Sequence, residues 1–160
     1  MSVLGEFPRI SPFLWFDANA EEAVDFYVGI FKNSKKLSVN RNLVDAPPYI
    51  KKGAVLTVTF ELDGLKMTAL NGGPRFKFTE AISLVVRCDS QDEVDDYWAK
   101  LTANGGEESQ CGWLKDKYGL SWQIVPAKLP ELLKNPGAVQ AMLKMKKLEI
   151  AELERAGKAQ

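Results

Sequence analysis

No imidazole is available to this chain, because histidine is absent from all 160 residues. Imidazole is the commonest side-chain ligand for zinc, iron or nickel and the usual general base near neutral pH. Any chemistry therefore falls to carboxylates, hydroxyls, amides, Lys, Arg, Tyr or Cys, or the chain binds without reacting. Cys111 lies between Gln110 and Gly112 on an expected strand, with Lys115 two alternations further on, where a positive charge would lower a thiol pKa. No base accompanies it, so a small packed residue is the preferred reading. Asp25 and Asp95 hold equivalent helix positions and look like a carboxylate pair, yet both read as first-turn residues that complement the helix dipole. Arg87 is different: a lone charge on an otherwise neutral strand face suits an anionic or carbonyl-bearing ligand.

The elements that must position these groups follow from periodicity. Strands are expected over 11–16, 36–42, 54–62, 65–71, 81–88, 108–115 and 119–125, and helices over 20–32 and 91–104. A short helix near 129–134 and a longer one from Ala138 to about Arg155 close the chain, separated by Asn135-Pro136-Gly137. Alternation assigns the faces. Leu56, Val58, Phe60 and Leu62 oppose Val55, Thr57, Thr59 and Glu61; Leu65, Met67 and Ala69 oppose Lys66, Thr68 and Leu70. Likewise Ile82, Leu84, Val86 and Cys88 oppose Ala81, Ser83, Val85 and Arg87, and Leu120, Trp122 and Ile124 oppose Ser121, Gln123 and Val125. The apolar faces must meet the helices. The other face carries hydroxyls, an amide, Arg87 and the aromatic Phe13 and Trp15, a lining that suits a ligand cup; the alternative is a plain solvated or subunit-packed sheet surface.

The pattern occurs twice. Asp17 and Asp89 each follow a strand and open a helix carrying Val-Asp-x-Tyr, and the turn-and-strand Asp63-Gly64-Leu65 to Leu70 matches Tyr118-Gly119-Leu120 to Val125. A unit of roughly 70 residues present twice is too few copies for a solenoid and implies two modules in one pseudo-symmetric domain. Composition agrees with one globular domain over 1–160: 46% hydrophobic, 26% charged, and net charge zero. Without a basic stripe, nucleic acid is not an expected partner. Met1–Ile10 has no apolar targeting core and no segment reaches the ~20 apolar residues of a membrane span, so a cytoplasmic chain is expected. Cys88 and Cys111 are too few for a disulfide framework and are expected as reduced thiols.

The run Gln110-Cys111-Gly112-Trp113-Leu114-Lys115-Asp116-Lys117-Tyr118-Gly119-Leu120-Ser121-Trp122-Gln123-Ile124-Val125-Pro126, with Ile10 to Phe16 and Phe78 to Ser83, resembles the PhnB-like branch of the vicinal-oxygen-chelate superfamily. That superfamily includes glyoxalase I, extradiol dioxygenases and the bleomycin- and fosfomycin-resistance proteins; the branch is also described as a demethylubiquinone methyltransferase-like domain. The resemblance implies an α+β fold of two βαβββ modules whose curled mixed sheets form a cup, here about 8–74 and 78–126, with a C-terminal helical tail over 128–160. In metal-using relatives the ligands come from the first and last strands of each module. Carried over, those positions are Ser11 or its neighbour, Thr68, Ala81 and Gln123, with Ala81 where relatives often have His and Gln123 where a Glu is expected. Hydroxyls, a methyl and a neutral amide are poor donors for a divalent transition metal, and one carboxylate from Glu61 or Glu80 would make only a weak site.

The combined reading is a metal-independent small-molecule-binding protein, with no cofactor and no assigned catalytic residue. Its expected ligand-binding residues are Ser11, Phe13, Trp15, Thr57, Thr59, Thr68, Ser83, Arg87, Ser121 and Gln123, serving a planar or anionic ligand. The competing reading is an enzyme acting on a quinone-like or dicarbonyl substrate, by methyl transfer or through a weakly held metal. Val139, Met142, Leu143, Met145, Leu148, Ile150 and Leu153 recur at helical spacing, so the tail must bury one side, on its own subunit or on a second; a homodimer is expected.

Overall fold

The computed structural model describes residues 8–48 and 50–159, so most of the Met1–Ile10 segment lies outside the described residues. Two compact units divide the chain, Met1–Lys77 and Phe78–Gln160.

In the first unit β1 (Phe13–Phe16), α1 (Ala20–Ile30), β2 (Lys35–Arg41), β3 (Val55–Leu62) and β4 (Leu65–Asn71) build a four-stranded sheet in the order β1-β4-β3-β2. β1 runs parallel to β4 and the other neighbours are antiparallel. A parallel pair needs a crossover, and α1 with β2 and β3 supplies it. Leu14, Phe16, Val58, Phe60, Leu62, Met67 and Ala69 are buried, as are Ala20, Ala23, Val24 and Tyr27 of the helix. The period-two alternation thus puts these strand positions under α1, where Tyr27 and Phe60 stack with centroids 6.4 Å apart. Asp63 (φ 45°) and Gly64 (φ 87°) turn β3 into β4, the two-residue geometry that needs positive φ at both positions.

The second unit repeats the plan. β5 (Ser83–Cys88), α2 (Gln91–Thr102), β6 (Glu107–Glu108), β7 (Trp113–Lys115) and β8 (Ser121–Pro126) give the order β5-β8-β7-β6, with β5 parallel to β8. Ser90 caps α2 by accepting from the Glu93 amide at 3.2 Å, and the Glu93 carboxylate accepts from the Asp89 amide at 2.7 Å, which satisfies donors the first turn leaves open. Val94, Trp98 and Leu101 are buried with Cys88, Leu114, Trp122 and Ile124. The fold is therefore α+β with two βαβββ sheets and C-terminal helices: α3 (Leu129–Leu132), α4 (Pro136–Met142) and α5 (Ile150–Lys158).

Four expectations need correction. The strand placed over 81–88 begins at Ser83; Ala81 and Ile82 precede it and are exposed, so Ile82 does not join the helix-facing side. The strand placed over 108–115 is two short strands, and Cys111 sits in the turn between them at φ 58°, followed by Gly112 at φ 83°. Asp25 and Asp95 lie beyond the first turns and pair with Lys36 at 2.7 Å and Lys147 at 2.6 Å. Finally, the helix expected from Ala138 to Arg155 is broken over 143–149.

The break has a tertiary cause. The Met145 and Lys146 carbonyls accept from the Cys111 and Gly112 amides, each at 2.8 Å. Gln91 then uses its whole carboxamide, donating to the Leu148 carbonyl at 3.0 Å and accepting from the Ile150 amide at 2.8 Å. Backbone groups that a continuous helix would pair internally are thus committed to the turn and to α2. Met145, Leu148 and Leu153 are buried against Leu129, Leu132, Ala141 and Met142, so the tail closes on its own unit, while Leu143 stays exposed.

Candidate functional site

The sheet face opposite α1 is organised in rows set by the register. Phe13, Thr68, Thr59 and Ser38 form one row across the four strands; Trp15, Leu70, Thr57 and Asn40 form the next. Thr59 and Thr68 are buried and adjacent, Phe13 beside them is 60% exposed, and the Asn40 amide donates to the Thr57 hydroxyl at 3.3 Å. Trp15 is more committed than its sequence suggests. Its indole N–H donates to the Gly73 carbonyl at 2.9 Å, Phe76 meets it edge-on at 4.9 Å, and a Cβ on Gly72 would overlap its ring. Gly72 is glycine because the indole lies on it, so one ring face is already covered.

On the second sheet the face opposite α2 holds the rows Ser83–Ser121–Lys115 and Val85–Gln123–Trp113, then Arg87 beside Val125. The Gln123 amide donates to the Ser83 hydroxyl at 2.9 Å, which fixes the amide's orientation and leaves its carbonyl oxygen turned from that bond. Ser121 is the register partner of Ser83, two residues before Gln123 on β8, and its fully buried hydroxyl has no hydrogen-bond partner among the described residues. Lys115 is ion-paired with Glu80, which raises the ammonium pKa and lowers that of the carboxyl, mainly through their shared hydrogen bond. Arg87 is 77% exposed at the strand's end, its nearest anionic partner being Asp89 at 4.0 Å.

The two faces correspond position by position. The Gly72 amide bonds the Phe16 carbonyl and the Ala127 amide bonds the Cys88 carbonyl, both at 2.8 Å, so Phe16 matches Cys88. Counting back, the row Phe13–Thr68–Thr59 matches Val85–Gln123–Trp113. Thr68 and Gln123 are thus equivalent points, while Ser11, which lies just outside β1, matches Ser83; Ala81 is one alternation earlier. Ser83, Ser121 and Gln123 come together on one sheet, and Phe13, Thr59 and Thr68 on the other.

Two residues of the sites were missed by sequence reading. Trp113 stands opposite Gln123, and its alternation with Lys115 was available as a signal. Asp116 is buried at 2% exposure: one carboxylate oxygen accepts from the Tyr118 and Leu120 amides at 2.8 and 3.1 Å, the other from the Trp122 indole at 2.9 Å. That arrangement holds the hairpin whose second strand carries Ser121 and Gln123. Its sequence signal is an Asp two residues before a Tyr-Gly turn, an Asx-type geometry.

Neither implied group fits these donors. Among the described residues no three Asp, Glu or Cys side chains converge to hold a metal ion. The Thr68 hydroxyl and the Gln123 amide are neutral, and the amide nitrogen of Gln123 is turned toward Ser83. An S-adenosylmethionine cradle of the doubly wound type needs a glycine-rich strand-to-helix turn, but here those turns are Asp17-Ala18-Asn19 and Asp89-Ser90 in mixed sheets. Cys88 is buried, and burial pushes its thiol up to about 12, so it stays protonated and unreactive. Among the described residues no helix is long and apolar enough to cross a membrane.

Residues 8–125 match the family model described as 3-demethylubiquinone-9 3-methyltransferase. Among solved structures, the PhnB protein from Bacillus cereus is 35% identical, covering 75% of this chain and 100% of its own, with a TM-score of 0.67. Protein PA1353 from Pseudomonas aeruginosa is 18% identical over 75% of this chain and 98% of its own, at TM-score 0.60. The fosfomycin resistance protein FosX from Listeria monocytogenes, solved with Mn(II) and sulfate, is 18% identical over 79% and 95%, at TM-score 0.54. No curated protein matches the sequence.

Proposed function

The chain belongs to the 3-demethylubiquinone-9 3-methyltransferase-like family, the PhnB-like proteins of the glyoxalase fold, and from that footing we propose that it binds a small planar or anionic molecule without a metal. The observation that carries this reading is the polar cluster on the second sheet: Gln123 oriented by Ser83, with the buried, unpartnered Ser121 hydroxyl beside them. The Gln123 carbonyl oxygen, left open by the amide's bond to Ser83 on a partly exposed residue, is the acceptor for a ligand N–H or O–H. Trp113, opposite Gln123 on the same sheet, supplies aromatic surface for a planar group. Arg87, exposed at the strand end, serves an anionic substituent at the rim. The first sheet, by itself, offers a second face of the same character, with Phe13 and Trp15 beside the hydroxyls of Ser11, Thr57, Thr59 and Thr68.

Metal-free binding rests on donor chemistry: the chain has no histidine, Thr68 and Gln123 stand at the equivalent strand points, and the described residues hold no convergent carboxylates. The reading places this binding in the cytoplasm, in a homodimer with the exposed Ile82 among its apolar contacts. The test is a thermal-shift screen of quinones, dicarbonyls and small aromatic acids against protein stripped with chelator, with and without Mn(II) or Zn(II). Stabilisation by one ligand class, unchanged by metal and lost in Gln123→Ala, is expected. Binding or turnover that appears only with added metal, or methyl transfer from S-adenosylmethionine, would replace this reading with the enzyme.

A further inference from the structure

Lys115 is the cation set into the Gln123 face of the second sheet, and its partner makes it informative. It is the last residue of β7, half-buried, on the same face as Trp113 two residues before it. In register it stands beside Ser121, which stands beside Ser83, so these three close one end of the face. Trp113, Gln123 and Val85 form the next row, ~7 Å along the strands. Arg87 lies beyond that row at the opposite end, out in solvent beside Asp89.

Lys115 is ion-paired with Glu80, which precedes the start of β5 at Ser83. β8 runs between β7 and β5, so the pair reaches across the Ser83–Ser121–Lys115 row rather than along one strand. Glu80 and Ala81 are exposed and outside the sheet. The Glu80 carboxylate takes a further hydrogen bond from its own backbone amide, so Lys115 is what ties it to the sheet. Glu107, opposite Lys115 on the edge strand β6, is exposed and attracts the ammonium through space. An exposed carboxylate–ammonium pair holds weakly. A ligand carboxylate that also gains ring contact with Trp113 can therefore displace Glu80.

We propose that Lys115 selects the ligand's charge, and that Glu80 fills in the free protein the place of the ligand's carboxylate. The assignment rests on the sheet-face reading above and narrows it to a class: planar acids with an N–H or O–H donor one ring away from the carboxylate. The carboxylate meets Lys115, the donor meets the open Gln123 carbonyl oxygen one row along, and the ring lies against Trp113.

The probes are para-aminobenzoate and its neutral counterpart para-aminobenzamide, each titrated by calorimetry into the full-length protein at low salt. The acid should bind about fivefold tighter, the scale of one exposed ion pair, and added salt should erode that advantage. Lys115→Met keeps the aliphatic stem and should bring the acid down to the amide. Glu80→Gln removes the competitor and should tighten the acid about threefold. That sign separates recognition from support, because breaking a merely structural pair weakens binding from either side. Equal binding of acid and amide, or an acid weakened by Glu80→Gln, would overturn the assignment while leaving the sheet-face reading in place. Failure of both probes to bind would overturn the two together.

Discussion

Replacing Asp116 separates two roles that its three hydrogen bonds combine. Asp116→Asn keeps an oxygen for the Tyr118 and Leu120 amides but turns an NH₂ toward the Trp122 indole N–H, so one bond becomes a donor facing a donor. At a site 2% exposed, that lost charge-assisted bond and the unsatisfied indole should cost about 2–3 kcal/mol. Asp116→Ala removes both acceptor oxygens, and with them all three bonds, and strands two backbone amides as well, so about 3–5 kcal/mol is expected, less than three separate bonds because the turn relaxes and water enters. Urea unfolding followed by tryptophan fluorescence measures both, since Trp122 itself reports the change. The order Ala worse than Asn, with Asn already destabilised, is the required outcome. If Asn matched the parent within about 0.5 kcal/mol, the carboxylate would not be what holds the hairpin, and the positioning of Ser121 and Gln123 would need another cause.

Gly112→Ala places a Cβ 3.0 Å from Leu148 at φ 83°, so it should cost about 1–3 kcal/mol and expose the 143–149 segment to limited proteolysis, read by mass spectrometry. Cys88, raised from 9.0 to about 12 by burial, keeps its proton in the folded protein while the unfolded thiol loses it. Its contribution is therefore fully present below pH 9 and lost as pH rises toward 12, at up to about 1.4 kcal/mol per pH unit; urea midpoints between pH 8 and 10.5 should fall less steeply in Cys88→Ala than in the parent. Deleting the chain from Ala138 uncovers the side of the second unit that Met145 and Leu148 protect, at about 1.5–3 kcal/mol for each large apolar side chain lost from the core. Light scattering at micromolar concentration should give a dimer for the full chain; a well-behaved monomer would remove the assembly proposed above.

Much of the fold was legible because the signals are local. Alternation separates Leu14 and Phe16 from Phe13 and Trp15, and Trp122 and Ile124 from Ser121 and Gln123, since a strand turns successive side chains to opposite faces whatever surrounds it. The Asp-Gly hairpin and the Ser90 cap are likewise written within a few residues. The repeated order of strands was implied by resemblance, and each sheet has it.

What the sequence left undetermined depends on partners distant along the chain. The helical spacing from Ala138 to Arg155 is real, but helix preference per residue is small beside the tertiary hydrogen bonds that Cys111, Gly112 and Gln91 make to 145–150, so the chain breaks there. The same holds for Trp15, whose indole is claimed by Gly73 from 58 positions away, and for Arg87, whose alternation placed it on the ligand face but whose exposure follows from the strand ending one residue later. Period fixes which way a side chain points; only the packed structure decides what it meets.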